Sequence, residues 1–357
     1  MLFKLGPKTR KEDFYNFENE LNSLLRDIND PLTRLIAIKG LRRTGKSSLV
    51  RVAVNMGNYP YVIMDLREFT SMTPTEFRAR LNNALLKAYN DLAKRFRMPV
   101  EIEKISIMGV TLARKKKEIY REILREINEA VLKRRTRFIL IIDEAQEAKR
   151  FGFDDYLAFV YDNLEGILTI LTGSQIGLFE KMLENPDSPL FGRAYSEIRT
   201  RRLSEEESYE FLRLGFRELN INVRRDILDD IVLELDGIIG WLNYYGWQLY
   251  KTKNHKKALV KARRGAIAIA KKELRNFLQT RGVGRRPYAL ILRALSIEPM
   301  RWRDVKAYLE LKMKREIPNN QLTKYLNTLV DYGFVIKEEN LYKIPDPITK
   351  KAARTIK

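Results

Sequence analysis

Three short stretches carry the residue types that handle a phosphate anhydride. The first is Gly40-x-x-x-x-Gly45-Lys46-Ser47, inside IKGLRRTGKSSLV. Glycine at 40 and 45 lets the backbone wrap close to phosphate, because neither position carries a Cβ. The N–H groups of this loop, from Gly40 through Arg43, Thr44 and Gly45 to Ser48 in the following helix turn, favour an anion. Lys46 can reach the β- and γ-phosphates, and Ser47 can ligate Mg²⁺. The second stretch is FILIIDEAQE, where an apolar strand delivers Asp143 and Glu144 to its carboxyl end. Asp143 can hold Mg²⁺, directly or through water, and Glu144 can polarise an attacking water as a general base. The third is ILTGS, whose Thr172 and Ser174 end another strand. A hydroxyl there positions the water or the γ-phosphate; the plainer alternative is an ordinary strand-end turn at Gly173.

Elements must bring these stretches to one place. LTRLIAI (32–38) reads as a buried strand before the glycine loop, and SSLVRVAV (47–54) as the helix after it. YPYVIMDL (59–66), RFILIID (137–143), GILTILTGS (166–174) and YSEIRTRRL (195–203) read as four more strands. Helical spacing recurs between them: apolar positions from Phe14 to Ile28, the segment Thr75–Arg97 behind Pro74, and 115–135. VEIEKISIMGVTLA (100–113) is β-branched and alternating and reads as an inserted strand pair. Strands alternating with helices give an α/β fold with a parallel sheet, and ligands bind at the carboxyl edge of such sheets.

Near residue 203 the pattern changes. Ser204 and Glu207 form a capping-box sequence, and helices run on to a Gly- and Arg-rich linker, QTRGVGRRP (279–287). Three helices and a β-hairpin follow, the order of a winged helix. The organisation is therefore three units: 1–203, 204–284 and 285–357. A chain of 357 residues suits two or three cores.

Composition excludes other chemistry. There is no cysteine, so disulfides, Cys-zinc sites and thiol nucleophiles are out. His255 is the only histidine and sits in the basic run TKNHKKAL, where a solvated surface position is expected. No run of 18 apolar residues spans a membrane and no secretory leader is evident, so a cytoplasmic protein is expected. The net charge of +21 is uneven: residues 1–250 carry +3 and residues 251–357 carry +18. Such a localised excess is a footprint for a polyanion, most often nucleic acid. Arg285, Arg286, Arg301 and Arg303 extend it onto the winged helix, with Lys324 on the recognition helix Asn319–Tyr332.

The three phosphate-handling stretches, in this order, resemble the AAA+ class of P-loop ATPases. More narrowly, GLRRTGKSSL, DLR (65–67), IIDEAQE, LTGSQIGLF, SPLFGRAYSEI, FLRLGFRE and DGIIGWL resemble the archaeal ATPase family, placed in the STAND branch of signal-transducing NTPases. The resemblance implies a five-stranded core of strand order 5-1-4-3-2, a helical lid, a C-terminal winged helix, and ATP or ADP with Mg²⁺ as ligands. It departs at two places. The arginine of the family's N-terminal acidic-Arg box falls on Phe17, and Ile239 stands where the lid motif has an adenine-touching proline. Arg193, in PLFGRAYSE before the fifth strand, is the candidate γ-phosphate-sensing arginine, expected near the nucleotide edge and acting within its own chain or across a subunit boundary. Arg42 and Arg43 are expected to meet a carboxylate or solvent. Three roles fit: an ATPase whose basic lid and winged helix contact double-stranded DNA, a nucleotide-dependent switch that binds a protein partner or itself, and an Orc/Cdc6-like replication initiator.

Overall fold

The computed structural model describes residues 1–69, 71–98 and 119–356. The inserted pair expected at 100–113 lies outside them. Five parallel strands form the central sheet: β1 Leu35–Lys39, β2 Tyr61–Asp65, β3 Phe138–Asp143, β4 Ile167–Gly173 and β5 Ser196–Arg199. Their spatial order is β2-β3-β4-β1-β5, the order the resemblance implies. Side chains alternate between the two faces of each strand. Ile36, Ile38, Ile139, Ile141, Leu168 and Ile170 therefore enter one core, and Leu35, Ala37, Leu140, Ile142 and Leu171 the other. Burial on both faces explains why these strands read as continuous apolar runs.

The first core continues into the lid and the winged helix, so all three share one apolar interior. The lid comprises helices Glu205–Glu218, Arg225–Leu235, Ile239–Thr252 and His255–Gln279. The expected capping box is present: Ser204 accepts from the Glu207 N–H, and the Glu207 carboxylate from the Ser204 N–H. Ala258, Ala262, Ala266 and Ala270 form the buried stripe of the long lid helix. The winged helix follows as helices Arg285–Leu295, Trp302–Met313 and Asn319–Asp331. Strands β6 Met300–Arg301, β7 Ile336–Glu338 and β8 Leu341–Lys343 form an antiparallel sheet of order β6-β8-β7. The last helix, Pro347–Ala353, turns back and packs on the long lid helix.

Three expectations change. The segment at 279–287 is not an open linker, because the lid helix runs to Gln279 and the next begins at Arg285 after one tight turn. The first helix begins at Glu18; Phe14 and Phe17 precede it and are buried, with Phe17 at φ 62°. The segment ahead of that helix is a strap across the lid. Phe3 is 1% exposed and wedged against Gly215 and Gly246 of two lid helices, where a Cβ would lie 2.1 Å from its ring. His255 is half-buried rather than solvated: its Nδ1 lies 2.7 Å from the Tyr245 hydroxyl, its ring meets Phe216 edge-on, and burial lowers its pKa. Among the described residues no helix is long and apolar enough to cross a membrane.

Candidate nucleotide site

Parallel strands all point their carboxyl ends one way, so the residues that end β1, β2, β3 and β4 share one edge of the sheet. The phosphate loop, residues 40–47, leaves β1 there and turns into the helix Lys46–Met56. Gly45 stands at φ 97°, in the left-handed region. At Gly40 the requirement is space: a Cβ would sit 2.1 Å from the Thr200 hydroxyl and 2.8 Å from its carbonyl. Thr44 is buried, with its hydroxyl 2.6 Å from that of Thr200, so only its backbone can serve a ligand. Ser48 accepts the Lys8 N–H at 3.0 Å.

Lys46 is 5% exposed, and its ammonium donates to the Gly40 and Leu41 carbonyls at 2.8 Å each. Burial lowers its pKa to about 8, against the opposing pull of Glu144 and Asp143. The Ser47 hydroxyl donates to Asp143 Oδ2 at 2.7 Å, and the Thr172 hydroxyl to Asp143 Oδ1. Glu144 is anchored separately: its Oε2 accepts from the Ser174 hydroxyl at 2.6 Å and from the Gln146 amide at 2.7 Å. Burial alone would raise the Glu144 carboxyl, but Lys46 and these hydrogen bonds hold it below the ordinary glutamate value. Ser174 thus orients the Glu144 carboxylate beside the phosphate loop.

Of these, Lys46, Ser47 and Glu144 line a cleft of about 590 Å³ that also takes in Lys8, Phe14, Tyr15, Phe17, Arg42, Arg43, Arg67, Ile239 and Glu273. The sequence did not mark Lys8, Phe14, Tyr15, Arg67 or Glu273 as site residues. Arg67 lies in the short turn Leu66–Phe69 that follows β2, and the carboxyl-edge rule that selected Asp143 applies equally to it. Lys8 had no local signal, because it arrives on the N-terminal strap. Ile239 starts a lid helix over the loop, its Cγ2 3.9 Å from where a Gly45 Cβ would stand.

The two loop arginines reach outward. Arg43 pairs with Glu273 on the long lid helix and stacks 4.1 Å from the Trp241 ring centroid. The Gly240 N–H donates to the Arg43 carbonyl at 3.0 Å, an approach a Cβ at 240 would block at 2.6 Å. Arg42 lines the cleft, where its charge helps to lower the Glu144 carboxyl, and it also lies 4.9 Å from the Phe334 ring centroid in the winged helix. Lys181 adds a 2.6 Å ion pair to Asp331 at the end of the recognition helix.

Arg193 is elsewhere. It precedes β5, and in a parallel sheet that places it at the amino edge, opposite the nucleotide cleft. Its guanidinium is paired with Asp162, at 3.0 Å from Nε, and with the Pro189 carbonyl. The expectation that it lies near the nucleotide edge is therefore corrected, and a role in its own chain's cleft has no geometry. Arg285, Arg286, Arg301, Arg303 and Lys324 are all exposed, on the winged helix and its entry. The N-terminal half of the recognition helix is exposed beside them: Asn319 accepts from Lys306 at 2.8 Å, and Thr323 from the Trp302 indole at 3.3 Å.

Comparison with known proteins agrees with this architecture. The family described as an ATPase domain predominantly from Archaea matches residues 14–244. The C-terminal winged helix-turn-helix domain of MCM proteins matches residues 283–345. A Walker-type ATPase of Pyrococcus abyssi is 31% identical, covers 99% of this chain and 100% of its own, and superposes with a TM-score of 0.84. The ORC2 protein of Aeropyrum pernix, solved as ADPNP–ADP complexes, shares the fold at 13% identity and TM-score 0.58, over 98% of this chain and 97% of its own. No curated protein matches the chain. The match over residues 14–244 covers most of the chain, and with the cleft geometry it leads to one conclusion: this chain belongs to the ATPase-domain family found predominantly in Archaea.

Proposed function

We propose that the chain binds and hydrolyses Mg-ATP at the carboxyl edge of its sheet, and that its basic C-terminal third engages duplex DNA. The observation that carries the first half is the meeting of Lys46, Ser47 and Glu144 on one cleft, with Asp143 hydrogen-bonded to Ser47. The backbone from Gly40 to Ser48 wraps the phosphates, and Lys46 neutralises them. The Ser47 hydroxyl and Asp143 carboxylate are hard oxygen donors 2.7 Å apart, which suits Mg²⁺, an ion usually held by one or two protein oxygens plus phosphates and water. When bound, Mg²⁺ withdraws charge from the β- and γ-oxygens. Ser174 and Gln146 hold Glu144 in an ionised state, ready to take the proton of the attacking water. Ile239 packs over the loop from the lid. The working units in this reading are 1–203, 204–284 and 285–357, in a cytoplasmic protein.

Replacing Glu144 by Gln keeps the shape and removes the base. ATP binding should persist, and turnover should fall by roughly 10²–10⁴-fold. Turnover equal to wild type would remove Glu144 as the base.

The DNA half is supported by the exposed Arg285, Arg286, Arg301, Arg303 and Lys324 and by the +18 of residues 251–357. A second reading, a nucleotide-dependent switch acting on a protein partner or a second copy, is favoured by the contacts of Arg42 and Arg43 with the winged helix and lid. Duplex binding that weakens steeply with salt supports the first; no binding at low salt leaves the switch. Arg193, with its guanidinium at the amino edge, could serve only the cleft of a neighbouring subunit.

A further inference from the structure

Arg67 occupies the position that Arg193 does not. It follows β2, whose last residue, Asp65, pairs in register with Asp143 of β3. Asp65 grips the Arg67 Nε at 2.9 and 3.1 Å. The same guanidinium reaches Asp143 Oδ2 at 3.6 Å and Glu144 Oε1 at 3.9 Å. Its side chain is 59% exposed and lines the cleft with Lys46 and Ser47. A permanently charged fork therefore stands beside Lys46 and Ser47 in the cleft, its Nε and Nη2 held by Asp65 and its Nη1 facing Glu144.

We propose that Arg67 is the in-chain arginine of this ATPase, contacting the γ-phosphoryl group and neutralising its charged equatorial oxygens in the transition state. The proposal rests on the hydrolytic reading above. In that reaction a water oxygen forms a new bond to the γ-phosphorus while the bond to the bridging β–γ oxygen breaks. The water's proton passes to Glu144, and the products are ADP and inorganic phosphate. Negative charge shifts to the leaving bridge oxygen, while the equatorial oxygens remain charged throughout. Lys46, from the loop, serves the β/γ side. Arg67 faces it from the β2 side, next to the general base. Because ADP lacks the γ-phosphate, Arg67 should contribute to ATP and to turnover and little to ADP. A guanidinium that served only to neutralise Asp143 and Glu144 would show no such preference.

The full-length chain, wild type, Arg67→Ala and Arg67→Lys, should be compared for kcat and KM with Mg-ATP. Calorimetric affinities for ADP and for a non-hydrolysable ATP analogue complete the set. Arg67→Ala should lower kcat by roughly 10²–10³-fold. Its affinity for the analogue should fall about tenfold, and its ADP affinity should stay within about twofold of wild type. Arg67→Lys, which keeps the charge and loses the fork, should recover at least a tenth of wild-type turnover. Retained ADP binding also reports that each variant is folded. Unchanged kcat in Arg67→Ala, equal losses for ADP and the analogue, or a lysine variant no better than alanine would each overturn the assignment. Wild-type chain that binds the analogue without turning over ATP defeats the hydrolytic reading instead; Arg67 then stands or falls on the analogue-over-ADP preference alone.

Discussion

Lys46 opens the phosphate-loop helix and is buried; Lys324 lies on the recognition helix and is exposed. The same ammonium does different work in the two places. Around Lys46 the charged groups are held by named partners: Ser47 and Thr172 on Asp143, Ser174 and Gln146 on Glu144, the ammonium on two carbonyls. Such a site is organised before ligand arrives, and the cost of burial is carried by the fold. Around Lys324 the basic side chains stand in water, and among the described residues Arg285, Arg286, Arg303 and Lys324 form no ion pair. In the proposed DNA contact their contribution would come from counterion release, which needs density of charge more than geometry. The difference separates what each site can recognise: a particular phosphate chain in the first, a polyanion in the second.

The buried lysine should betray itself in the pH dependence of stability. Below about pH 8 Lys46 is protonated in the folded and unfolded chain alike, and its burial costs stability. Between about 8 and the ordinary 10.5 the folded chain gives up its proton first, so stability rises with pH across that window. Relative to Lys46→Met, in which the titration is absent, wild type should gain up to about 3 kcal/mol from pH 7 to pH 10.5. Urea unfolding of the pair at several pH values reads this directly. A constant difference would mean that Lys46 is solvated in the folded protein, and the contrast with Lys324 would collapse.

On the exposed side the expected effect is smaller and has a different signature. Arg301→Ala with Arg303→Ala should weaken duplex binding by about tenfold at moderate salt and flatten the salt slope by about one per residue. ADP affinity should not move. A joint loss of ADP and DNA binding would show that the two sites are one electrostatic unit and break the comparison.

What could be read in advance follows the same division. Gly40 to Ser47, Asp143-Glu144 and Thr172-x-Ser174 were legible because each is local, and parallel strands bring their carboxyl ends together whatever the intervening chain does. The sheet order came with the family resemblance. Arg193 was misplaced although the rule was at hand: a residue just before a parallel strand lies at the amino edge. Arg67 obeys the carboxyl-edge rule but sits in a short DLR stretch with no phosphate-binding signature of its own. The partners of Arg42 and Arg43, Phe334 and Glu273, lie hundreds of residues away on elements whose docking no periodicity reveals. His255 looked solvated because its neighbours in sequence are lysines, while its neighbours in space are Tyr245 and Phe216. The N-terminal strap is a similar case, since the burial of Phe3 depends on glycines in two distant helices.

The smallest predicted effects concern the loop arginines, which join the two regions. Arg43 has an ion pair and a stacked indole, both partly shielded from water, so Arg43→Ala should lower stability by about 1–2 kcal/mol. Arg42 has only the Phe334 ring among its ring contacts, and Arg42→Ala should lower stability by about 0.5–1 kcal/mol. Both are measured as shifts of the urea midpoint at constant slope, with ADP affinity followed in parallel. If the arginines serve the lid and winged helix, stability falls and ADP affinity changes only a few-fold. If Arg42→Ala instead loses tenfold or more in nucleotide affinity with an unchanged midpoint, Arg42 is a phosphate ligand despite its stacking on Phe334. The boundary between the ordered cleft and the winged helix would then have to be drawn on the far side of that ring.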